Sequence, residues 1–255
     1  MKKYAGHIPD DSEFRTMRDN WIHNMSQSDS LRKQAIELSV ASSKFNYGYQ
    51  WEWCGVPIIR HPDDIVLQQE IMWSLKPSRV IETGIARGGS LVLSSSLMKI
   101  LGKESKVLGI DIEIHQHALN SLRTWTQNGD ILLIEADSTS RYAREKVSTF
   151  VSGVSDPILL ILDSNHTHSH VLRELTAFSG LLPVGSVIMV ADTIVEEMPR
   201  DFYPNRPWSR GNNPMTAVRE FLSSNKEWSL DTKWARRSLL GECRDGILFK
   251  SQLTC

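Results

Sequence analysis

A glycine-rich turn between two apolar runs constrains the fold of this chain more than any other stretch. Val80 and Ile81 form a short apolar run that Glu82 ends. Three glycines follow, at positions 84, 88 and 89, before an apolar run of helical length over 91–101. This order predicts a buried parallel strand, a tight turn and a helix N-terminus. Glycine lets the backbone approach a ligand closely and a helix start offers unpaired N–H groups, so we predict a nucleotide-type cofactor here.

Strand and helix patterns alternate along the remainder of the chain. Helical segments of about 10 to 15 residues separate short apolar runs, which is typical of a parallel, doubly wound sheet. The helix after the fourth strand is predicted over 169–182. The predicted fold class is α/β, with a mostly parallel, Rossmann-like sheet of seven strands: Val80–Thr83, Val107–Asp111, Ile131–Glu135, Ile158–Asp163, Ser186–Asp192, Trp228–Thr232 and Gly246–Lys250.

Residues 1–62 are predicted to form an N-terminal extension to a domain over 63–255. Positions 11–45 are polar with scattered apolar residues and predict two modest helices, whose apolar stripe needs cover from the domain body or from another subunit. Positions 47–57 are dense in aromatic residues and glycine. That composition is typical of a packed loop or edge strand, and also of a substrate-pocket wall.

Composition and charge narrow the class of protein. The 255 residues carry a formal net charge of −1 and a pI of about 6.7, which leaves no electrostatic footprint for nucleic acid or an anionic membrane. No apolar run approaches the roughly 18 residues of a membrane span. The N-terminus has a basic start without the apolar core of a signal peptide. Because Cys54, Cys243 and Cys255 are far apart and lack metal spacing, we expect a reduced, cytoplasmic protein.

The spacing of the glycines bears on which cofactor binds. A dinucleotide fingerprint requires Gly-x-Gly-x-x-Gly, whereas this turn reads Gly84-x-x-x-Gly88-Gly89. Asp111 ends the second strand, where a carboxylate can bind both hydroxyls of a ribose. Glu82 ends the first strand, where it would repel a pyrophosphate but suits the ammonium of an amino acid. A ribose and a zwitterion without a phosphate describe S-adenosylmethionine (SAM), and an ordinary turn without a ligand is the alternative.

A long connection without periodicity follows the fifth strand. Residues 194–213 include prolines at 199, 204 and 207. Irregular loops of about 20 residues are uncommon unless they serve a function. Because this loop starts at the carboxyl end of a strand, we predict a substrate lid with Phe202, Tyr203 and Trp208 facing the pocket. A surface excursion or a subunit contact is the alternative.

Two acidic residues and a histidine follow the fourth and fifth strands. Asp163 lies at one strand end, His166 follows three residues later, and Asp192 lies at the neighbouring strand end. Two carboxylates with water suit Mg²⁺, which could lower the pKa of a substrate hydroxyl while His166 takes the proton. Alternatively, Asp163 only caps the next helix, or joins two of the nearby histidines in an iron site. His168 and His170 are otherwise expected at a helix start or in packing.

Four motifs of this chain resemble the cephalosporin hydroxylase family: Trp53–Ile59, Glu82–Leu91, Gly109–Ile112 and Leu162–Leu172. The resemblance spans about 51–193, more than half of the chain. Despite the family's name, it implies a SAM-dependent methyltransferase fold. Relatives include O-methyltransferases that act on sugars, rhamnosyl groups and antibiotic hydroxyls, several of them Mg²⁺-dependent and oligomeric. A homo-oligomer is therefore expected.

The resemblance also implies roles for individual residues. Asp163 is expected as a catalytic residue beside the cofactor and, together with Asp192, as a metal ligand. His166 would be the base, by similarity to macrolide sugar O-methyltransferases. The remaining cofactor contacts would be Glu82, Gly84 and Gly88 at the methionine part with Ser90 at the helix start, Asp111 at the ribose, and Asp137 and Ser138 at the adenine.

One position departs from the family pattern. The end of strand five usually reads Glu-Asp, whereas this chain has Ala191-Asp192. One expected carboxylate is missing, so the use of Mg²⁺ stays open, although Glu196 or Glu197 could substitute from the loop.

The predicted function is transfer of the SAM methyl group to a hydroxyl of a sugar, or of a glycosylated or secondary metabolite. Two alternatives stay open: a non-catalytic SAM-binding partner subunit, and an oxidoreductase or hydroxylase. Against the second stand the absent dinucleotide fingerprint and the lack of an iron or flavin motif.

Overall fold

The computed structural model describes residues 9–252, an α/β domain preceded by two helices and a hairpin. Single 3₁₀ turns occupy Tyr47–Tyr49, Ser179–Leu181 and Thr193–Glu196. In chain order, the other elements are α1 (Asp11–Ser26), α2 (Asp29–Ser43), β1 (Trp51–Trp53), β2 (Val56–Ile58), α3 (Pro62–Leu75), β3 (Arg79–Thr83), α4 (Gly89–Ile100), β4 (Val107–Asp111), α5 (Gln116–Gln127), β5 (Ile131–Glu135), α6 (Arg141–Phe150), β6 (Ile158–Leu162), α7 (His168–Phe178), β7 (Val187–Val190), α8 (Pro214–Ser224), β8 (Trp228–Leu230), α9 (Thr232–Ala235) and β9 (Ile247–Lys250).

The central sheet has the strand order β5-β4-β3-β6-β7-β9-β8. The first five strands of this order are parallel, and β9 pairs antiparallel with both β7 and β8. The chain runs outward from β3 to β5 and then returns to the other side of β3. The strand order therefore reverses between β3 and β6, where open α/β sheets bind ligands outside the carboxyl ends of their strands. The predicted fold class is confirmed.

Both faces of the sheet are covered, which explains the continuous apolar composition of its strands. In β3, Val80 faces one core and Ile81 the other, because successive side chains of a strand point to opposite faces. The first core includes Leu91 of α4, and the second includes Leu175 of α7. Polar chemistry is thereby confined to the strand ends.

Two strands end earlier than predicted. Asp163 and Asp192 lie beyond β6 and β7, because the pairing between these strands stops at Leu162 and Val190. Both carboxylates therefore belong to the loops at the edge of the sheet, where they are free to face a ligand.

Two other boundaries differ from the prediction by more than one residue. The helix predicted to reach Leu182 ends at Phe178 and continues as a 3₁₀ turn. Thr232, predicted to end a strand, instead begins α9. The carboxylate of Asp231 accepts the backbone N–H of Lys233 at 3.0 Å, and this cap starts the helix.

The N-terminal extension buries few residues and contributes a hairpin. α1 contains no buried residue, and α2 buries Ala35 and Ser39. β1 and β2 pair antiparallel across a turn in which Cys54 and Gly55 both have positive φ, 50° and 77°. The aromatic segment is therefore a separate two-stranded hairpin rather than a loop or an edge strand of the main sheet. The division of the chain at residue 62 stays a prediction.

The expectations for the basic start at 1–8 and for Cys255 fall outside the described residues. Within 9–252, no helix combines the length and the apolar character that a membrane crossing needs. The two cysteines in this part of the chain, Cys54 and Cys243, are both free thiols.

Candidate active site

The glycine turn after β3 brings the exits of β3 and β6 into contact. Gly84 has a φ of +88°, and a Cβ atom on it would lie 2.0 Å from the carbonyl oxygen of Asp163. A side chain cannot be accommodated there without moving the backbone. Gly88, with a φ of +92°, directly precedes α4, and Gly89 lies against the backbone of the hairpin. The turn is therefore packed between β6 and the hairpin, and only glycine permits this approach.

Two cavities open at the carboxyl ends of the strands. The cofactor-side cavity, of about 470 Å³, lies against the ends of β4 and β5. The acceptor-side cavity, of about 350 Å³, lies against the glycine turn and the loop over 194–213. The two cavities share a wall made of Gly84, Ala86, Asp163, Ser164 and Trp208. A group bound in one cavity can therefore meet a group bound in the other beside the tip of β6.

The cofactor-side cavity collects the residues predicted for ribose and adenine. Asp111, Asp137 and Ser138 all line it. The carboxylate of Asp111 accepts the backbone N–H of Ile85 at 2.7 Å, which fixes it beside the glycine turn. The hydroxyl of Ser138 lies 3.1 Å from Nε2 of His170. His170, expected only at a helix start or in packing, thus also lines this cavity.

Glu82 is fully buried at the end of β3. Its Oε1 lies 3.2 Å from Nη2 of Arg60, and its Oε2 has no hydrogen-bond partner among the described residues. Burial raises the pKa of Glu82 to about 7, although the positive charge of Arg60 opposes that shift. An orphaned carboxylate oxygen is suited to an ammonium group, but the side chain of Glu82 lines neither of the two cavities. Gly88 and Ser90, also predicted for the cofactor, line the acceptor-side cavity.

Arg60 is a site residue that the sequence did not reveal. It follows β2, and its side chain is 3% exposed. Its Nη2 lies 3.2 Å from Glu82 and 3.3 Å from Oδ2 of Asp163, so that one guanidinium bridges carboxylates at two neighbouring strand ends. The only sequence signal is a charged residue directly after an apolar run. Because arginines are mostly exposed, nothing local to the sequence places this one at the sheet.

Asp163, His166 and Asp192 lie together beside the shared wall of the cavities. Nε2 of His166 is 3.6 Å from Oδ1 of Asp163, and Nδ1 is 3.3 Å from Oδ2 of Asp192. Burial disfavours the charged imidazole, but the charges of Asp192 and Asp163 outweigh it and raise the pKa of His166 to about 9. The ring packs on Trp208, with 4.8 Å between the centroids. The predicted cluster is confirmed, while the roles of ligand and base stay predictions.

The loop over 194–213 forms one wall of the acceptor-side cavity. Its ends are tied together by Glu196, whose carboxylate accepts the backbone N–H of Gly211 at 2.8 Å and the side-chain amide of Asn213 at 2.6 Å. Opening and closing of this loop stays a prediction. The loop presents to the cavity the three predicted aromatic residues, Phe202, Tyr203 and Trp208.

Neither Glu196 nor Glu197 takes the place of the carboxylate that Ala191 lacks. Glu196 is engaged within the loop, and Glu197 accepts two hydrogen bonds from Arg32 of α2, at 2.6 and 2.7 Å. The acceptor-side cavity contains a different carboxylate, Glu242, from the segment before β9. Burial and neighbouring carboxylates raise the pKa of Glu242 well above its usual range. This residue was not predicted, because no motif surrounds it.

The three histidines after β6 do not form an iron site. His168 begins α7, and its ring nitrogens lie 2.8 Å from Oγ1 of Thr216 and 3.1 Å from Glu220. His170 turns toward the cofactor-side cavity, and only His166 reaches the two carboxylates. The alternative of two histidines with one carboxylate is therefore wrong, because these side chains diverge from the start of the helix.

Comparison with known proteins decides the family. A family model described as rhamnosyl O-methyltransferase/CmcI matches residues 45–251. The chain belongs to this family. The resemblance that the four motifs carry is thereby confirmed.

Curated proteins named rhamnosyl O-methyltransferase are similar to part of this chain. A rhamnosyl O-methyltransferase of Mycobacterium leprae is 33% identical over 154 residues, which cover 59% of this chain and 65% of the relative. A rhamnosyl O-methyltransferase of Mycobacterium bovis is 31% identical over 147 residues, 58% of each chain. The chain thus spans less than two thirds of the length of these relatives.

Several solved structures share the fold of this chain. The match with the apo structure of CmcI has a TM-score of 0.56 at 22% identity and covers 80% of this chain and 77% of the CmcI chain. A structure of CmcI described as Mg-SAM has a TM-score of 0.53 at 22% identity, over 79% and 77%. A putative caffeoyl-CoA O-methyltransferase from Staphylococcus aureus has a TM-score of 0.53 at 15% identity, over 91% and 97%. At these identities the similarity establishes the fold alone.

Proposed function

We propose that this chain transfers the methyl group of SAM to a hydroxyl of a sugar, or of a glycosylated or secondary metabolite. The observation that carries the proposal is the shared wall of the two cavities, where Asp163 lies next to the space that suits a nucleoside and contacts His166 of the acceptor-side cavity. The relatives named rhamnosyl O-methyltransferases, and the CmcI structure described as Mg-SAM, support the same reaction class.

The described residues fit SAM. The unpartnered Oε2 of Glu82 would accept the ammonium, and the Asp111 carboxylate would accept the ribose hydroxyls. Asp137 and Ser138 would lie beside the adenine. At Gly84, where the methionine part would pass, the backbone of Asp163 is too close for a side chain to fit. When bound, SAM supplies a methyl group activated by its sulfonium.

The described residues also fit a divalent cation. Ligand atoms of Asp163, His166 and Asp192 lie within 4.8 Å of one another. Asp163 and Asp192 would hold Mg²⁺, because this ion usually keeps several waters and needs only one or two carboxylates. The alanine at 191 is therefore compatible with a metal. A cation held there would lower the pKa of a nearby acceptor hydroxyl.

We assign His166 the removal of the proton from the acceptor hydroxyl. Both of its nitrogens face carboxylates, so one of these contacts must be exchanged for the hydroxyl before the imidazole can act as a base. Once Asp163 and Asp192 hold a cation, they no longer stabilise the proton on His166. The aromatic residues of the lid would pack on the sugar face of the acceptor. Holding the acceptor oxygen in line, about 3 Å from the methyl carbon, is the main contribution of the cavity.

Calorimetric titration with SAM, with Mg²⁺ and with EDTA, tests the proposal first, and micromolar binding is expected. Turnover is then followed as release of S-adenosylhomocysteine, with p-nitrophenyl α-L-rhamnopyranoside and p-nitrophenyl β-D-glucopyranoside as probe acceptors. A methylated glycoside would support the proposal. Binding of SAM without turnover across a wider glycoside panel would favour a non-catalytic SAM-binding subunit. No binding under any condition would overturn the proposal.

The acceptor is proposed to be a small molecule, with neither nucleic acid nor a membrane as a partner. A homo-oligomer is supported by apolar side chains that α1 and α2 leave exposed, among them Phe14, Trp21 and Leu38. The cytoplasmic location stays a prediction from the cysteine pattern.

A further inference from the structure

We propose that Arg60 is a positioning residue of this site. Its guanidinium holds the carboxylates of Glu82 and Asp163 in the orientations that the cofactor and His166 require. The kinetic part of this inference rests on the proposed methyl transfer, whereas its binding and spectroscopic parts do not need an acceptor.

One nitrogen of the Arg60 guanidinium contacts a helix, and another contacts carboxylates at two strand ends. Nη1 donates to Oε1 of Gln68 in α3 at 2.5 Å, and Gln68 donates from Nε2 to Oγ of Ser94 in α4 at 2.8 Å. Nη2 faces Glu82 and Asp163. Because the arginine fork is planar and rigid, anchoring one nitrogen fixes the direction of the other. The cation therefore has one position relative to both strand ends.

The contact with Arg60 decides which oxygen of Asp163 faces His166. Arg60 takes Oδ2 at 3.3 Å, so Oδ1 is the oxygen that lies 3.6 Å from Nε2 of the imidazole. Without the guanidinium, the carboxylate is free to rotate about its last bond and to present either oxygen in a range of directions. The orientation of His166 thus depends on a residue that lies outside the main sheet.

The same contact decides which oxygen of Glu82 is left for a further partner. Oε1 faces Arg60, and Oε2 is left without a partner among the described residues. Glu82 lies near the end of β3, and Asp163 follows the parallel strand β6. Their two negative charges therefore approach each other at the edge of the sheet. A cation between them offsets this repulsion, and removing it leaves Glu82 fully buried without a countercharge beside the part-buried Asp163.

The position of Arg60 in the chain gives the hairpin a functional role. Arg60 lies between β2 and α3, and the hairpin that precedes it packs against Gly89 at the start of α4. The strand ends of the sheet supply the carboxylates, but the segment before the sheet supplies the cation that orients them. The site is therefore incomplete without residues that precede the predicted methyltransferase domain.

Two substitutions of Arg60 separate charge from geometry. Arg60→Lys keeps the charge but loses the fork, and Arg60→Gln loses both. For each we expect kcat to fall, and the Kd of SAM to rise, by about tenfold to a hundredfold, while the KM of p-nitrophenyl α-L-rhamnopyranoside stays within about threefold. Guanidine hydrochloride at low millimolar concentration is expected to restore part of the turnover of Arg60→Gly but none of that of Arg60→Lys.

A matched control shows what the loss of an arginine ion pair does to the fold alone. Arg237 pairs with Glu70 of α3 and lines neither of the two cavities. Arg237→Gln should lower Tm without changing kcat or the Kd of SAM. If Arg60→Gln keeps both constants within about twofold of wild type, or loses activity only in proportion to Tm as Arg237→Gln does, the inference is overturned.

A readout without SAM keeps the inference testable if Arg60→Gln does not fold or if the wild type does not bind SAM. The imidazole signals of His166 in NMR spectra should shift in Arg60→Lys and in Gln68→Met, which frees the guanidinium from its anchor. Unchanged His166 signals in both variants would overturn the inference. Failure of the wild type to bind SAM would instead contradict the proposed function.

Discussion

His166 lies between two carboxylates that stabilise its protonated form. This arrangement opposes the role of base that we assign to it. His166→Ala should lower kcat by about a hundredfold to ten-thousandfold, because general base catalysis contributes that much. The Kd of SAM should not change, because the imidazole lines the acceptor-side cavity and not the cofactor-side cavity. His168→Ala, which loses a contact with Thr216, is the control of the same residue type. Retained turnover in His166→Ala would remove His166 from the base role.

Glu82 should make the binding of SAM depend on pH. Burial raises its pKa to about 7, so below that pH the carboxyl is neutral in the free protein. An ammonium favours the ionised form, and binding below about pH 7 must then release a proton. The Kd of SAM should fall roughly tenfold per pH unit toward pH 7 and rise again above about pH 8, where the α-amino group of free SAM loses its proton.

Calorimetry in buffers of different ionisation enthalpy measures this proton. Glu82→Gln should bind SAM more weakly and without the pH dependence, because no carboxyl is left to ionise. Tight binding by the wild type at about pH 6 with no proton released would mean that the ammonium does not bind at Glu82.

Among the structural elements, the turn between β3 and α4 tolerates change least. Gly84 and Gly102 both have positive φ, +88° and +70°, but only Gly84 faces backbone, at 2.0 Å from an added Cβ. Gly102→Ala should cost about 1 kcal/mol of left-handed strain. Gly84→Ala should cost about 3 kcal/mol or more, because β3 and β6 must separate. Urea denaturation measures both free energies of unfolding, and equal costs would mean that the turn has space for a side chain.

The carboxylate of Glu196 ties the two ends of the loop over 194–213 together. Glu196→Gln should weaken the bonds to Gly211 and Asn213, and the loop should then be cleaved faster by trypsin at its arginines. Glu145→Gln, which removes an exposed ion pair with Arg141 in α6, is the control. Equal cleavage rates in the two variants would show that Glu196 does not hold the loop.

At the scale of the whole molecule, α1 contributes little to the stability of the single chain. It buries no residue, and its Phe14 and Trp21 are 47% and 45% exposed. Deleting residues 1–26 should leave the Kd of SAM unchanged and Tm within a few degrees, but should lower the mass of the proposed homo-oligomer. Size-exclusion chromatography with light scattering measures that mass. An unchanged oligomer would mean that α1 is not the interface.

The sheet and most of its ligand edge follow from the sequence alone, because both depend on local patterns. Apolar runs of strand length, separated by amphipathic helices, define β4 and β5 to the residue. Parallel strands place their carboxyl ends on one edge, so Asp111, Asp163 and Asp192 could be assigned to one site without knowing any contact. His166 follows, since it is three residues from Asp163.

Only the tertiary structure decided what surrounds these residues. Arg60 meets Asp163 across 103 positions of the chain, and the backbone N–H of Glu242 donates to Asp64 across 178 positions. Such contacts depend on how the hairpin and the segment before β9 pack against the sheet, and no periodic pattern encodes that packing. Glu196 is engaged within its own loop, across 15 and 17 positions, and no periodic pattern encodes these contacts either. The sequence therefore determined the carboxylates at the strand ends and His166, whereas packing decided the cation that contacts them and the direction in which each charged group faces.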